Sequence, residues 1–380
     1  MNEQDIRSIH KGPYKLVFVS SGGGTKAISD LLKVPGASQT ILESYIPYSR
    51  KSMDEYLKIQ PSYYCGLQTT INMAVTAFDR AKKLSPDCDP KYLLGVAVTA
   101  TLSTTYEKLG THRFFICIQG YDATHVVSHY LTKGKRTRDS EEKVVSECLK
   151  RLIGIVSGLD LKLPELAQEL SYEIVSAKQE WHDLESGHID YVTKSGSPTK
   201  LIFPGTFQPF HKGHSSIQKI AEEKIGESAT FEISISNVEK TLLSYYEIEK
   251  TVDQFKAGQN WVLTNAPTFV EKAEIFKEST FVMGMDTLIR LFDPKFYEND
   301  QVMRSSLNVF IENNIRFLIF GRQIGSEFMT LNDFLIPKEF KDRFIGITEK
   351  EFREDISSSA IKREEAVSYT HLTLPTICSV

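Results

Sequence analysis

Ten residues near the middle of the 380-residue chain, Gly205-Thr-Phe-Gln-Pro-Phe-His-Lys-Gly-His214, constrain its fold more than any other stretch. They follow the apolar run Leu201-Ile-Phe203. After them comes a predicted helix over about Ser216 to Ile225, with Ser215 and Gln218 at capping-box spacing and Ile217, Ile220, Ala221 and Ile225 on one apolar face. A strand, a glycine-containing turn and a helix in that order bring backbone N–H groups and the positive end of a helix dipole to one point, which suits an anion such as phosphate. Gly205, Thr206 and Phe207 make the turn. His211 and His214, three residues apart, fall on one side of a first helical turn, where both imidazoles can donate to phosphate oxygens. Gly213 between them leaves room for a ligand against the backbone. A zinc site would need further ligands at fixed spacing, none is evident, and no protein-held metal site is expected.

The rest of this half repeats the alternation. Phe231, Ile233 and Ile235 predict a strand, Ser244 with Glu247 a capped helix start, and Thr280 to Met283 and Arg316 to Phe320 two short buried strands. Strands alternating with helices predict a Rossmann-like parallel α/β sheet whose ligand sits beyond the carboxyl ends of the strands. In the first half, Lys15 to Val19 is a buried strand, Ser20-Ser-Gly-Gly-Gly24 a glycine turn and Thr25 to Val34 a helix. Further strands are expected at Ile41 to Pro47, Leu93 to Thr99 and Arg113 to Gln119, with long helices at Gln68 to Leu84 and Glu141 to Val156. That pattern reads as a three-layer α/β domain.

The glycine, serine and proline content of Ser186 to Lys200 marks a connection. The expected organisation is a first domain over 1–185, a linker over 186–200 and a second domain over 201–365. Residues 366–380 continue no pattern and read as a non-native tail, since Val367-Ser-Tyr-Thr-His-Leu-Thr-Leu-Pro-Thr376 is similar to a translated sequencing-adapter end.

A net charge of -4 gives no general attraction to nucleic acid or to anionic lipid, so any phosphate site must be local. The five cysteines contain no C-x-x-C pair and fit reduced thiols. No signal-like amino terminus and no run long enough to span a membrane are present. The expectation is a cytoplasmic protein, with the nucleus left open, that binds neither nucleic acid nor membrane; its oligomeric state, a homo-oligomer included, stays open.

The segment around His211 and His214 resembles the signature of the HxGH nucleotidyltransferase superfamily, which includes the nicotinamide mononucleotide (NMN) and nicotinate mononucleotide (NaMN) adenylyltransferases, phosphopantetheine adenylyltransferase and the cytidylyltransferases. The resemblance runs from Leu201 to Arg363. Ser236-Asn-Val-Glu-Lys-Thr-Leu-Leu243 is similar to the S-x-N-x-x-K-x-x-L segment of the mononucleotide enzymes, which implies that Lys240 contacts phosphate. Phe281-Val-Met-Gly-Met-Asp-Thr287 resembles their strand ending in G-x-D, which implies Gly284 and Asp286 beside the nucleotide. Asp355 to Arg363 resembles their I-S-S-T-x-I-R segment and implies phosphate contacts from Ser357, Ser358, and Lys362 or Arg363. Lys362 stands where the family has arginine and lacks the bidentate fork. Arg322 is a further phosphate candidate, with a structural ion pair as the alternative.

The resemblance implies attack by a mononucleotide phosphate on the α-phosphorus of ATP, with Mg2+ carried on the phosphates rather than in a protein cage. His211, His214 and Lys240 would be the catalytic set. NMN or NaMN is the leading acceptor. Another adenylyl or cytidylyl transfer, and a nucleotide-binding scaffold without turnover, remain the alternatives.

In the first half, Ser20 to Gly24, Tyr48-Ser49 and Leu109-Gly-Thr111 fall in the order seen in the CinA family, whose relevant domain is an NMN deamidase. The resemblance implies Ser20, Tyr48 and Arg136 as pocket residues. Val19 replaces the family's glutamate, Gly22 its threonine, and Val98 to Thr101 its glycine stretch, so a degenerate binding or assembly domain is expected.

Overall fold

In the computed structural model the described residues are 1–106, 108–167, 170–194, 196–236 and 242–353. They divide into two compact units, the first Met1–Lys178 with Glu239–Glu249, the second Gln179–Val238 with residues from Lys250 onward.

The first unit contains α1 (Glu3–Lys11), β1 (Lys15–Ser21), α2 (Thr25–Leu32), β2 (Ile41–Tyr45), α3 (Arg50–Leu57), α4 (Leu67–Leu84), β3 (Leu93–Thr101), β4 (His112–Gly120), β5 (Ala123–Leu131), α5 (Arg138–Val156) and β6 (Ser171–Ser176). Its six strands form one sheet in the order β2-β1-β3-β4-β5-β6, parallel from β2 to β3 and antiparallel from β3 to β6. Strand alternation divides the core. Leu16 and Phe18 pack with Leu31 of α2 and Leu149 of α5, while Val17 and Val19 pack with Met53 of α3 and Ala74 of α4. The three-layer reading of this half is what the structure has.

Gly95 shows how tightly one layer lies on the next. A Cβ built there would stand 2.0 Å from the Ala74 carbonyl oxygen and 2.3 Å from the Phe78 nitrogen, both backbone atoms of α4. Gly95→Ala is expected to destabilise the protein by about 3 kcal/mol, the upper range for overpacking. A urea midpoint followed by circular dichroism checks this, and an unchanged midpoint would contradict it.

The second unit contains α6 (Gln179–Glu185), β7 (Tyr191–Thr193), β8 (Leu201–Pro204), α7 (Lys212–Ile225), β9 (Ala229–Ser234), β10 (Asn260–Thr264), α9 (Phe269–Ile275), β11 (Thr280–Gly284), α10 (Met285–Leu291), α11 (Asp300–Leu307), α12 (Val309–Glu312), β12 (Arg316–Phe320), the hairpin β13 (Arg322–Ile324) and β14 (Glu327–Met329), and β15 (Phe344–Gly346); α8 (Tyr245–Val252), before β10 in the chain, is divided between the units after Glu249. The stretch 186–200, read from sequence as a linker, holds β7, which pairs antiparallel with β10 and edges this sheet.

The sheet order is β15-β12-β11-β8-β9-β10-β7, and every pair except β10–β7 is parallel. The chain builds outward from β8 through β9 to β10, then crosses back and builds the other way through β11, β12 and β15. Order therefore reverses beside β8, and such a switch point opens a crevice at the carboxyl ends of the strands. Phe281, Phe317 and Ile202 seal the core beneath it.

Candidate active site in the second unit

The turn after β8 is shaped by its aromatic residues. Phe207, at φ 47° and 1% exposed, folds its ring back over Gly205, where a Cβ would lie 2.6 Å from the ring. Gly205 is thus needed for that close approach. Its N–H donates to the Glu232 carbonyl at 2.9 Å, so this amide belongs to the scaffold and not, as expected from sequence, to an anion. Gln254 fastens the turn twice, its amide donating to Phe207 O at 2.9 Å and its carbonyl accepting from Phe210 N–H at 2.7 Å.

The helix α7 begins four residues before the predicted Ser216. His211 is the N-cap in extended conformation (φ -138°, ψ 173°), and His214 occupies N3. The reason is local: His211 N–H donates to His214 Nδ1 at 3.2 Å and His214 N–H to the His211 carbonyl at 2.9 Å, so the two histidines, instead of Ser215 and Gln218, close the first turn. Their rings stack with centroids 3.7 Å apart.

Burial pushes the His214 imidazole pKa down to about 3, helped by His211 and the Arg322 charge. His214 is therefore neutral near pH 7. Because its Nδ1 accepts a hydrogen bond, its proton sits on Nε2, and the ring is a fixed neutral donor.

His214 lines a cavity of about 390 Å³ with Gly205, Thr206 and Phe207 from the turn, and with Gly284, Asp286 and Arg322 from the ends of β11 and β12. Residues far apart in sequence and singled out there converge at the switch point. Asp286 faces Arg322 Nε at 3.8 Å and Arg290 at 3.9 Å, with its side chain 54% exposed. A Cβ at Gly284 would stand 2.6 Å from Asp286 Oδ1 and 3.2 Å from Arg322 Nε, so glycine there keeps this pair at the cavity wall. His211 lines a second opening with Lys212, Gln254 and Lys256 instead, and Gly213 is buried on the first turn of α7. Lys240, Ser357, Ser358, Lys362 and Arg363 lie outside the described residues.

Sequence reading missed the opposite wall. Glu232 of β9 and Lys272 of α9 line the same cavity, are 1% and 5% exposed, and form an ion pair at 2.8 Å. The signal was present: an acid at an alternate position of a strand covered on both faces must find a partner.

In the first unit, Ser20 is fully buried, Tyr48 is 69% exposed, and Arg136 is half-buried. The glycine turn already holds a carboxylate. Glu142 of α5 accepts from Gly24 N–H at 2.8 Å and Lys26 N–H at 2.9 Å, and Arg138 rather than Arg136 reaches the turn, donating to Gly22 O at 3.2 Å.

A sheet parallel but for one edge strand, with a polar cleft at its switch point, is a Rossmann-type architecture. Residues 202–364 match the family described as Cytidylyltransferase-like, so the second unit carries a cytidylyltransferase-like domain of the nucleotidyltransferase class. No curated protein matches the chain. Solved structures similar to its amino-terminal part include the competence/damage inducible protein CihA from Agrobacterium tumefaciens, at 17% identity over 40% of this chain and 94% of that one with a TM-score of 0.30. Another is a competence-damaged protein (CinA) superfamily protein from Escherichia coli, at 14% identity over 42% and 94% with a TM-score of 0.31. No helix among the described residues is long and apolar enough to cross a membrane.

Proposed function

We propose that the second unit transfers AMP from ATP to nicotinamide or nicotinate mononucleotide and releases pyrophosphate. The observation that carries this reading is the neutral Nε2–H donor of His214 at a switch-point cavity with polar walls on both sides of the central turn. A phosphate oxygen of the mononucleotide attacks the α-phosphorus of ATP, forming one P–O bond, while the bond to the bridging oxygen breaks and pyrophosphate leaves with that electron pair. The chain needs no nucleophile of its own. Its residues align the substrates and stabilise charge that builds on the transferring group and the leaving pyrophosphate.

In this scheme His214 donates to a phosphate oxygen without changing protonation state, and Arg322 adds positive charge from the β12 side. Lys240 and the Ser357 to Arg363 segment complete the proposed phosphate contacts. Mg2+ bound on the ATP phosphates would supply charge neutralisation there; Asp286, at the cavity wall between Arg322 and Arg290, would be a carboxylate near it. Incubation with ATP, Mg2+ and each mononucleotide, with chromatography for the dinucleotide, tests the proposal.

For the first unit the same reasoning favours a binding or assembly role over deamidation. Glu142 takes the turn's donors, and Ser20 is out of reach of solvent. The intact protein is expected to release no ammonia from NMN in a coupled assay. Ammonia release that vanishes with Ser20→Ala would overturn this.

A further inference from the structure

One wall of the cavity carries bonding capacity that no described residue uses. Glu232 and Ser234 alternate onto one face of β9, and Ser236 continues the file two residues on; all three line the cavity. The hydroxyls of Ser234 and Ser236 are buried without a partner among the described residues. Glu232 receives both its bonds, from Lys272 Nζ at 2.8 Å and from Thr264 Oγ1, on Oε1, which leaves Oε2 without one. Lys272 donates a further bond to the Ala266 carbonyl. Buried hydroxyls left unmatched, as in Ser234 and Ser236, are rare in native proteins and call for a water or a ligand group as partner.

Sheet order says which molecule. The turn after β8 is central, with Gly284, Asp286 and Arg322 on the β11–β12 side and Glu232, Ser234 and Lys272 on the β9–β10 side. With the donor phosphates placed at Arg322 on the first side, the second side is left for the base of the acceptor, with Phe269 offering it an apolar face.

We propose that Glu232 and the Ser234–Ser236 file select an acceptor base bearing a primary carboxamide over one bearing a carboxylate. An amide needs an acceptor for its NH2 and a donor for its C=O, which Glu232 Oε2 and a serine hydroxyl supply. A carboxylate needs donors at both oxygens and finds at one of them Glu232 Oε2, which can only accept. This rests on the adenylyl-transfer reading for the assignment of sides.

The test is calorimetric binding of NMN and NaMN to the full chain, alongside turnover with ATP. NMN is expected to bind at least about tenfold tighter than NaMN, because a site built around one hydrogen-bonding pattern rejects the other. Glu232→Gln, which can donate to a carboxylate, is expected to bring the two affinities close together. Their ratio within one protein is independent of the fraction folded, and Glu232→Gln combined with Lys272→Met serves as a charge-neutral second variant. NaMN binding equal to or tighter than NMN, no binding of either, or an unchanged ratio in both variants would overturn the selection. Amide-selective binding without pyrophosphate release would leave the selection standing and remove the transfer reaction instead.

Discussion

His214→Ala is expected to lower kcat for adenylyl transfer by about 10² to 10³, the usual cost of removing one preorganised donor to developing charge. The fixed state of the ring underlies this effect. With Nδ1 committed to His211 N–H and a pKa near 3, His214 presents the same Nε2–H at every pH where the enzyme would work. Its titration should therefore leave no inflection in kcat between about pH 5 and 8. The sign for stability follows from linkage. The folded pKa lies below the ordinary histidine value of 6.5, so between about 3 and 6.5 the unfolded chain binds the proton and the native protein does not. Stability is full above 6.5 and falls as pH drops toward 3, and His214→Ala should make that fall shallower. Rapid-quench kinetics and urea midpoints at a series of pH values check both statements. Full activity in the variant would remove His214 from the mechanism.

The second large effect is expected from the buried pair in the cavity wall. Lys272→Met leaves Glu232, 1% exposed, without its counter-charge and should destabilise the second unit by about 3–5 kcal/mol. Glu232→Leu with Lys272→Met should recover most of that loss, because two apolar side chains of similar volume replace the pair. Both tryptophans, Trp181 and Trp261, belong to the second unit, so their fluorescence follows its unfolding alone. If the single variant is as stable as the parent, the pair contributes nothing measurable. If the double variant is no better than the single, the cost lies in packing instead of charge.

What could be read in the sequence, and what could not, divides along physical lines. Periodicity located β8, β9, β11 and β12 because a buried strand of a parallel sheet is a short apolar run, and it located α4 because that helix keeps one apolar face throughout. It missed β7, three residues inside a glycine- and serine-rich stretch, since pairing with β10 creates that strand and local preference does not. The start of α7 was placed too late because two histidines, not the serine and glutamine, cap it. His214, Gly284, Asp286 and Arg322 could be named in advance because their motifs are local. Glu232 could be marked only as an acid in need of a partner, and Lys272 and Gln254 could not be named, because each acts through a residue more than thirty positions away that only the folded chain brings near. Glu142 was hidden for the same reason: its role depends on α5 lying across the turn after β1.

The most direct test of the central claim is a single reaction. Purified full-length protein is incubated with ATP, Mg2+ and NMN or NaMN, and pyrophosphate is measured together with the dinucleotide. Both products are expected in equal amounts, formed with at least one acceptor and strongly reduced in His214→Ala. ATP binding with no pyrophosphate from either acceptor would contradict it.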